Sequence, residues 1–225
     1  MSSPTNERLR LLHLGLGSFH RAHQAVYLHR LMQSGDTRWQ VAGANLRPDM
    51  ADTLAALQRQ GGAYTLETVS PQGERRLERI TSITEVVPFE PTLARVMALG
   101  ADPATRIVSF TVTEAGYALD PEGRLDLRHE DIVNDLAGQA PRSIYGVVAA
   151  LLRRRRAAAA GQLTLLNCDN LRHNGDRFRS NLRAFIERAD GAEFLAWGDA
   201  NTTCPTAMVD RITPRPTPEV MARIR

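Results

Sequence analysis

Apolar positions fall in short continuous runs separated by longer stretches of helical spacing, a pattern that predicts strands alternating with helices. Leu11, Leu12 and Leu14 read as a buried strand, Gly15-Leu16-Gly17 as a tight turn, and residues 19–31 as a helix. Residues 39–44 predict a second strand. Residues 48–60 predict a helix opened by Pro48 and ended by Gly61-Gly62. Residues 63–69 and 76–83 alternate around Pro71-Gln72-Gly73, which predicts an antiparallel hairpin on the sheet edge. Helices at 91–99, 143–160 and 175–188 and buried strands at 107–113 and 163–167 continue the alternation, with a polar surface excursion at 119–142 holding at most one short helix. The tail from 194 predicts a short helix, an irregular loop at 201–205 and a strand at 208–212. Such alternation specifies an α/β fold, a mostly parallel sheet with helices on both faces and an inserted antiparallel hairpin.

Composition narrows the class. With 43% hydrophobic and 24% charged residues among 225, the chain has the makings of one globular core. No apolar run approaches the ~20 residues that span a bilayer, so no membrane partner is expected. The start MSSPTNERLR lacks the apolar core of a secretory signal, and Cys168 and Cys204 are too few for a disulfide framework, so a cytoplasmic location is expected. The net charge is +3, and every one of the 28 basic residues is arginine. Arginine stays protonated, so this chain carries no lysine to act as a general base. The run Arg153–Arg156 has no interleaved aromatics and reads as a solvated helix end, not a nucleic-acid contact.

Ligands of open parallel sheets bind at the carboxyl ends of the strands, which directs attention to residues 15–21, 45–49, 113–117 and 168–175. The turn Gly15-Leu16-Gly17 suits a dinucleotide phosphate at a helix start, or an ordinary strand-to-helix turn, since His20 stands where a third glycine would complete the fingerprint. Asn170 lies between a strand and a helix, where an amide can donate to a developing negative charge without titrating, or can simply cap. Asp210 and Arg211 are adjacent, so on a strand they point to opposite faces. His20, His23, Cys168, Asp169 and Cys204 lack the spacing of a zinc site, and no metal is expected. His13, His29 and His129 read as packing or surface residues; His173 falls in a candidate site loop.

Four segments, GLGSFHRAHQ at 15–24, TVTEAGY at 111–117, LLNCDNLRHNG at 165–175 and MVDRITP at 208–214, together resemble the mannitol dehydrogenase family of metal-independent polyol and hexuronate dehydrogenases. The resemblance runs from Leu11 to Pro218. It implies a Rossmann-type NAD-binding domain over residues 1–218, with 219–225 opening a helical second domain that would carry the family's catalytic lysine. It implies NAD contacts from Gly15, Leu16, Gly17, Ser18, Phe19, Arg47, Asp49, Thr111, Thr113 and Glu114. It gives Asn170 and Asp210 catalytic roles and Arg211 and His173 supporting roles around a polyol substrate. Asn45 stands where an acid often binds the adenosine ribose; Asp49 would bind the ribose hydroxyls and repel a 2′-phosphate, while Arg47 could attract one. The wording at 200–216, with Cys204 where many members carry phenylalanine, is nearest to the members that oxidise D-arabinitol. Those acting on mannitol, fructuronate or tagaturonate are alternatives. A rival expectation, from the missing lysine, is an NAD-binding unit without turnover of its own.

Overall fold

The computed structural model describes residues 8–209, 213 and 217–223. The chain opens with β1 (Leu9–Leu14), whose Leu11, Leu12 and Leu14 are all buried. An alternating strand would bury one face; burial on both faces marks a central parallel strand. The expected single helix at 19–31 is instead two, α1 (Ser18–Ala22) and α2 (Gln24–Gln33), broken at His23. At the break His23 has φ −123° and ψ −91°, outside the helical region, and the Tyr64 hydroxyl donates to the neighbouring Arg21 carbonyl at 2.5 Å. Next come β2 (Trp39–Ala44), a 3-10 turn at Pro48–Met50, and α3 (Ala51–Arg59).

The hairpin forms as expected from β3 (Tyr64–Val69) and β4 (Arg75–Ile80), but it is a separate two-stranded sheet and does not extend the edge. The edge is β5 (Ile83–Val87), which the alternation at 76–83 had concealed. Between them the chain is redirected at Thr81-Ser82, where the buried Ser82 hydroxyl donates to the Ala25 carbonyl at 2.6 Å and the Thr81 amide donates to His29. Then follow α4 (Ala94–Ala101), β6 (Thr105–Phe110), a 3-10 turn at Glu114–Tyr117, α5 (Glu130–Leu136), α6 (Ile144–Ala157) and β7 (Leu163–Asn167). The span α7 (Asn174–Asn201) is two helices meeting at Gly191, whose φ of 81° and ψ of 179° are not helical, so the helix expected at 175–188 and the short helix expected after 194 both form, each a few residues longer than expected. β8 (Thr202–Thr203) and α8 (Pro218–Arg223) complete the described elements. Met208 and Val209 are not in a strand, and the rest of the strand expected at 208–212 lies outside the described residues.

The main sheet has the order β5-β2-β1-β6-β7-β8, parallel throughout. From β1 the chain builds outward first to one side and later to the other, so the sheet's switch point lies between β1 and β6. One face packs a large core with α4, α6 and α7, through Val96, Leu151, Phe178 and Phe185 among others. The other face packs a smaller core with α2 and α3 through Leu11, Ala25, Val41 and Leu57. Helix α4 crosses α6 closely because Gly100 has no side chain: a Cβ there would lie 2.2 Å from Leu151 Cδ1. Burying each such Leu, Val or Phe contributes ~1.5–3 kcal/mol, so both layers are needed to hold the sheet.

Candidate dinucleotide site at the switch point

A cleft of about 600 Å³ opens at the carboxyl ends of β1, β2 and β6. Its floor is the glycine turn. Gly15 has φ 103°, and a Cβ on it would fall 2.5 Å from the Thr111 carbonyl oxygen, so only glycine lets the loops after β1 and β6 meet. Thr111 ties the same two loops by donating its hydroxyl to the Gly15 carbonyl at 2.9 Å. Gly17 caps α1 with no side-chain hydrogen bond. The first-turn amides beyond it have no intrahelical acceptors, which is the donor arrangement a pyrophosphate needs.

Below the turn lies a polar cluster. His13, on the central strand, places Nε2 3.0 Å from the Gly15 carbonyl and Nδ1 2.8 Å from Ser109 Oγ; His20 stacks on its ring at 3.6 Å. Burial without a carboxylate partner pushes the His13 pKa down to about 3, and that of His20 well below its ordinary value. The residue that breaks the triple-glycine fingerprint is thus a neutral ring packed under the turn.

Of the residues with expected cofactor contacts, Gly15, Gly17, Arg47, Asp49, Thr111 and Thr113 line the cleft. Leu16 is buried beside Gly43. Phe19 stacks on His23, and Ser18 accepts from Arg21 at 3.3 Å. Asn45 also lines the cleft and braces the turn: its side-chain oxygen accepts from the Leu16 amide at 2.6 Å. The backbone of Glu114 starts the 3-10 turn after β6. Three cleft residues carried no signal in the sequence, His129, Asp131 and Arg142, all from the excursion. Asp131 accepts from Arg47 at 2.8 Å across the mouth.

Beside the cleft, the loops after β6 and β7 are joined by Asp169. Its carboxylate accepts from the Val112 amide at 2.9 and 3.1 Å and from the Tyr117 hydroxyl, which in turn accepts from Asn167 at 2.7 Å. Desolvation raises the Asp169 pKa to about 6 against these hydrogen bonds, which pull it down. Asn174 ties this loop to the tail through the carbonyls of Asp169 and Ala207. Asn170 is exposed one residue beyond Asp169, and His173 is exposed in a left-handed conformation ahead of α7; neither lines the cleft. Asp210 and Arg211 lie outside the described residues. Burial raises the thiols of Cys168 and Cys204 to about 12 and 11, so neither is a thiolate at neutral pH. Among the described residues no group of three or more His, Cys, Asp or Glu is placed to hold a metal ion, and no helix is long and apolar enough to cross a membrane.

The profile of the mannitol dehydrogenase Rossmann domain matches residues 9–223. The chain belongs to the mannitol dehydrogenase family. Within that family it is 58% identical to a D-arabinitol 4-dehydrogenase of Ralstonia nicotianae over 217 residues, 95% of this chain and 46% of the relative. It is 50% identical to a D-arabinitol 4-dehydrogenase of Klebsiella pneumoniae, over 98% of this chain and 48% of that protein. A polyol:NADP oxidoreductase of Gluconobacter oxydans is 32% identical over 95% of this chain and 44% of its own length. The solved Pseudomonas fluorescens mannitol 2-dehydrogenase, a ternary complex with NAD and D-mannitol, superposes with a TM-score of 0.90 at 34% identity, covering 99% of this chain and 46% of that one. The chain therefore spans about half the length of the family members it matches.

Proposed function

We propose that this chain is the NAD-binding domain of a polyol dehydrogenase, of the type that oxidises D-arabinitol to D-xylulose. The observation that carries the reading is the cleft at the switch point, where Gly15 and Thr111 close a turn that only glycine permits. The identity of 50–58% to two D-arabinitol 4-dehydrogenases supports the substrate class. When bound, NAD supplies the hydride acceptor for the oxidation of a secondary alcohol. The glycine turn and the amides that open α1 would hold the pyrophosphate and Arg47 and Asp49 the adenosine ribose, with Thr111 and Thr113 lining the same cleft. Asn170, exposed outside the cleft lining, would by the family resemblance offer an amide to the alkoxide that develops as the hydroxyl proton leaves. The proton acceptor is a lysine, and with no lysine among these 225 residues it comes from a second, helical domain.

Isothermal titration tests the cofactor. NADH binds, and more tightly than NADPH; the reverse order overturns the assignment. A second reading, an NAD-binding unit with no turnover of its own, is favoured by the same lack of lysine. Incubating the chain alone with NAD and D-arabinitol or mannitol separates the two, because measurable NADH formation eliminates the second.

A further inference from the structure

The mouth of the cleft holds a charge arrangement that the glycine turn does not require. Arg47 follows β2, where an arginine in a dinucleotide site accommodates a 2′-phosphate and an acid binds the free 2′-hydroxyl. Here the arginine is engaged: its Nη2 donates to Asp131 Oδ2 at 2.8 Å, and both side chains line the cleft. Asp131 comes from the excursion, 84 residues further along the chain, and is the less exposed partner, 18% against 61% for Arg47. It sits in the first turn of α5, where the helix dipole favours a carboxylate, and its own amide is held by the His129 side chain that caps the helix. The second cleft arginine, Arg142, lies 3.5 Å from Glu130 on the same turn. Asp49 adds a further carboxylate on the lining.

We propose that Asp131 is a cofactor-specificity residue: it occupies Arg47 and adds negative charge at the ribose end, and so selects NAD over NADP. A 2′-phosphate brings nearly two negative charges and must displace a carboxylate that is already seated and favoured by its helix. A free ribose hydroxyl brings none and can donate to Asp49 with the Arg47–Asp131 pair intact. The choice is not inherited with the fold, since one relative of this chain is named for NADP. This inference rests on the NAD-binding reading above.

The test is the ratio of NADPH to NADH dissociation constants for the chain, Asp131→Asn, Asp131→Ala, and Arg47→Ala combined with Asp131→Asn. Asp131→Asn keeps the shape and removes the charge. It lowers the ratio about tenfold, the scale of one hydrogen bond to a charged group, and the shift shrinks as salt is raised. Asp131→Ala moves the ratio in the same direction. Adding Arg47→Ala abolishes the gain, because the freed guanidinium is what receives the phosphate. A ratio unchanged within twofold in both Asp131 variants, or a gain that survives loss of Arg47, overturns the inference while NADH binding stands. A parent chain that binds neither dinucleotide overturns the inference together with the NAD reading.

Discussion

His13 occupies the centre of the sheet with no solvent exposure, at a position where the neighbouring residues of β1 are leucine. A carbonyl can only accept, so Nε2 carries the proton toward Gly15, while the Ser109 hydroxyl, 2.8 Å from Nδ1, lies 2.8 Å from the Gln24 side-chain oxygen as well. The ring and the Thr111 hydroxyl together hold the Gly15 carbonyl. This geometry fixes a pH response. The folded pKa of about 3 lies below the ordinary 6.5, so between those values the unfolded chain binds more protons. The contribution is fully present above pH 6.5 and is lost as pH falls toward 3. Asp169 acts with the opposite sign: its folded pKa of about 6 exceeds the ordinary 3.8, favouring the folded state at low pH until pH rises through about 6. Moving from pH 7 to 4.5 should cost about 2–3 kcal/mol through His13 alone. Urea unfolding across that range, repeated on His13→Gln, should show a shallower fall in the variant; an unchanged slope would locate the titration elsewhere.

Arg155 shows how elements are fastened. It is 1% exposed and makes no ion pair among the described contacts, yet its guanidinium donates to five carbonyls, those of Gly100, Asp102, Ala160, Gly161 and Gln162, at 2.8–3.1 Å. The first two belong to the end of α4 and the others to the turn between α6 and β7, so one side chain caps the exit of two helices. Arg155→Met should destabilise by about 3–5 kcal/mol, because five carbonyls lose their shared donor. Arg155→Lys, with three donors on a point charge, should fall between. Chemical denaturation gives both values. The sequence predicted this arginine on a solvated helix end, and for its neighbours that holds: Arg153 and Arg156 reach the carboxylates of Asp190 and Glu193 on the surface. Periodicity locates a helix but cannot tell which arginine of four faces inward.

The same limit explains what else was legible. β1, β2, β7 and the hairpin were visible because their apolar or alternating runs are local properties. β5 was not, because the turn at Thr81-Ser82 depends on partners in α2 that only the folded chain supplies. In the site, the glycine turn was readable from residues 15–17. The bond from the Leu16 amide to Asn45 was not readable, and Asp131 was invisible in a polar excursion, since its partner is 84 residues away.

At the scale of the molecule, the cleft exists only where two separately built halves of the sheet meet. Gly15→Ala should therefore do more than strain one turn. Its Cβ would press on the Thr111 carbonyl and part the two walls, lowering NADH affinity by more than tenfold, about 1.4 kcal/mol or more. The same substitution at Gly35, which also has positive φ but nothing within 4 Å, should cost some stability and leave binding alone. Titration of both variants distinguishes a damaged site from a damaged fold.

The meeting of those halves also sets an order in time. The contact from Leu16 to Asn45 spans 29 residues, whereas that from His13 to Ser109 spans 96. Closing the longer loop costs about 1 kcal/mol more in chain entropy, and it cannot begin until β6 has been made. During synthesis β2 is therefore available to pair with β1 before β6 exists, since the two flank β1 in the sheet. A dinucleotide added to a refolding chain finds no site until the final closure, so it should slow unfolding and leave the early refolding phases untouched.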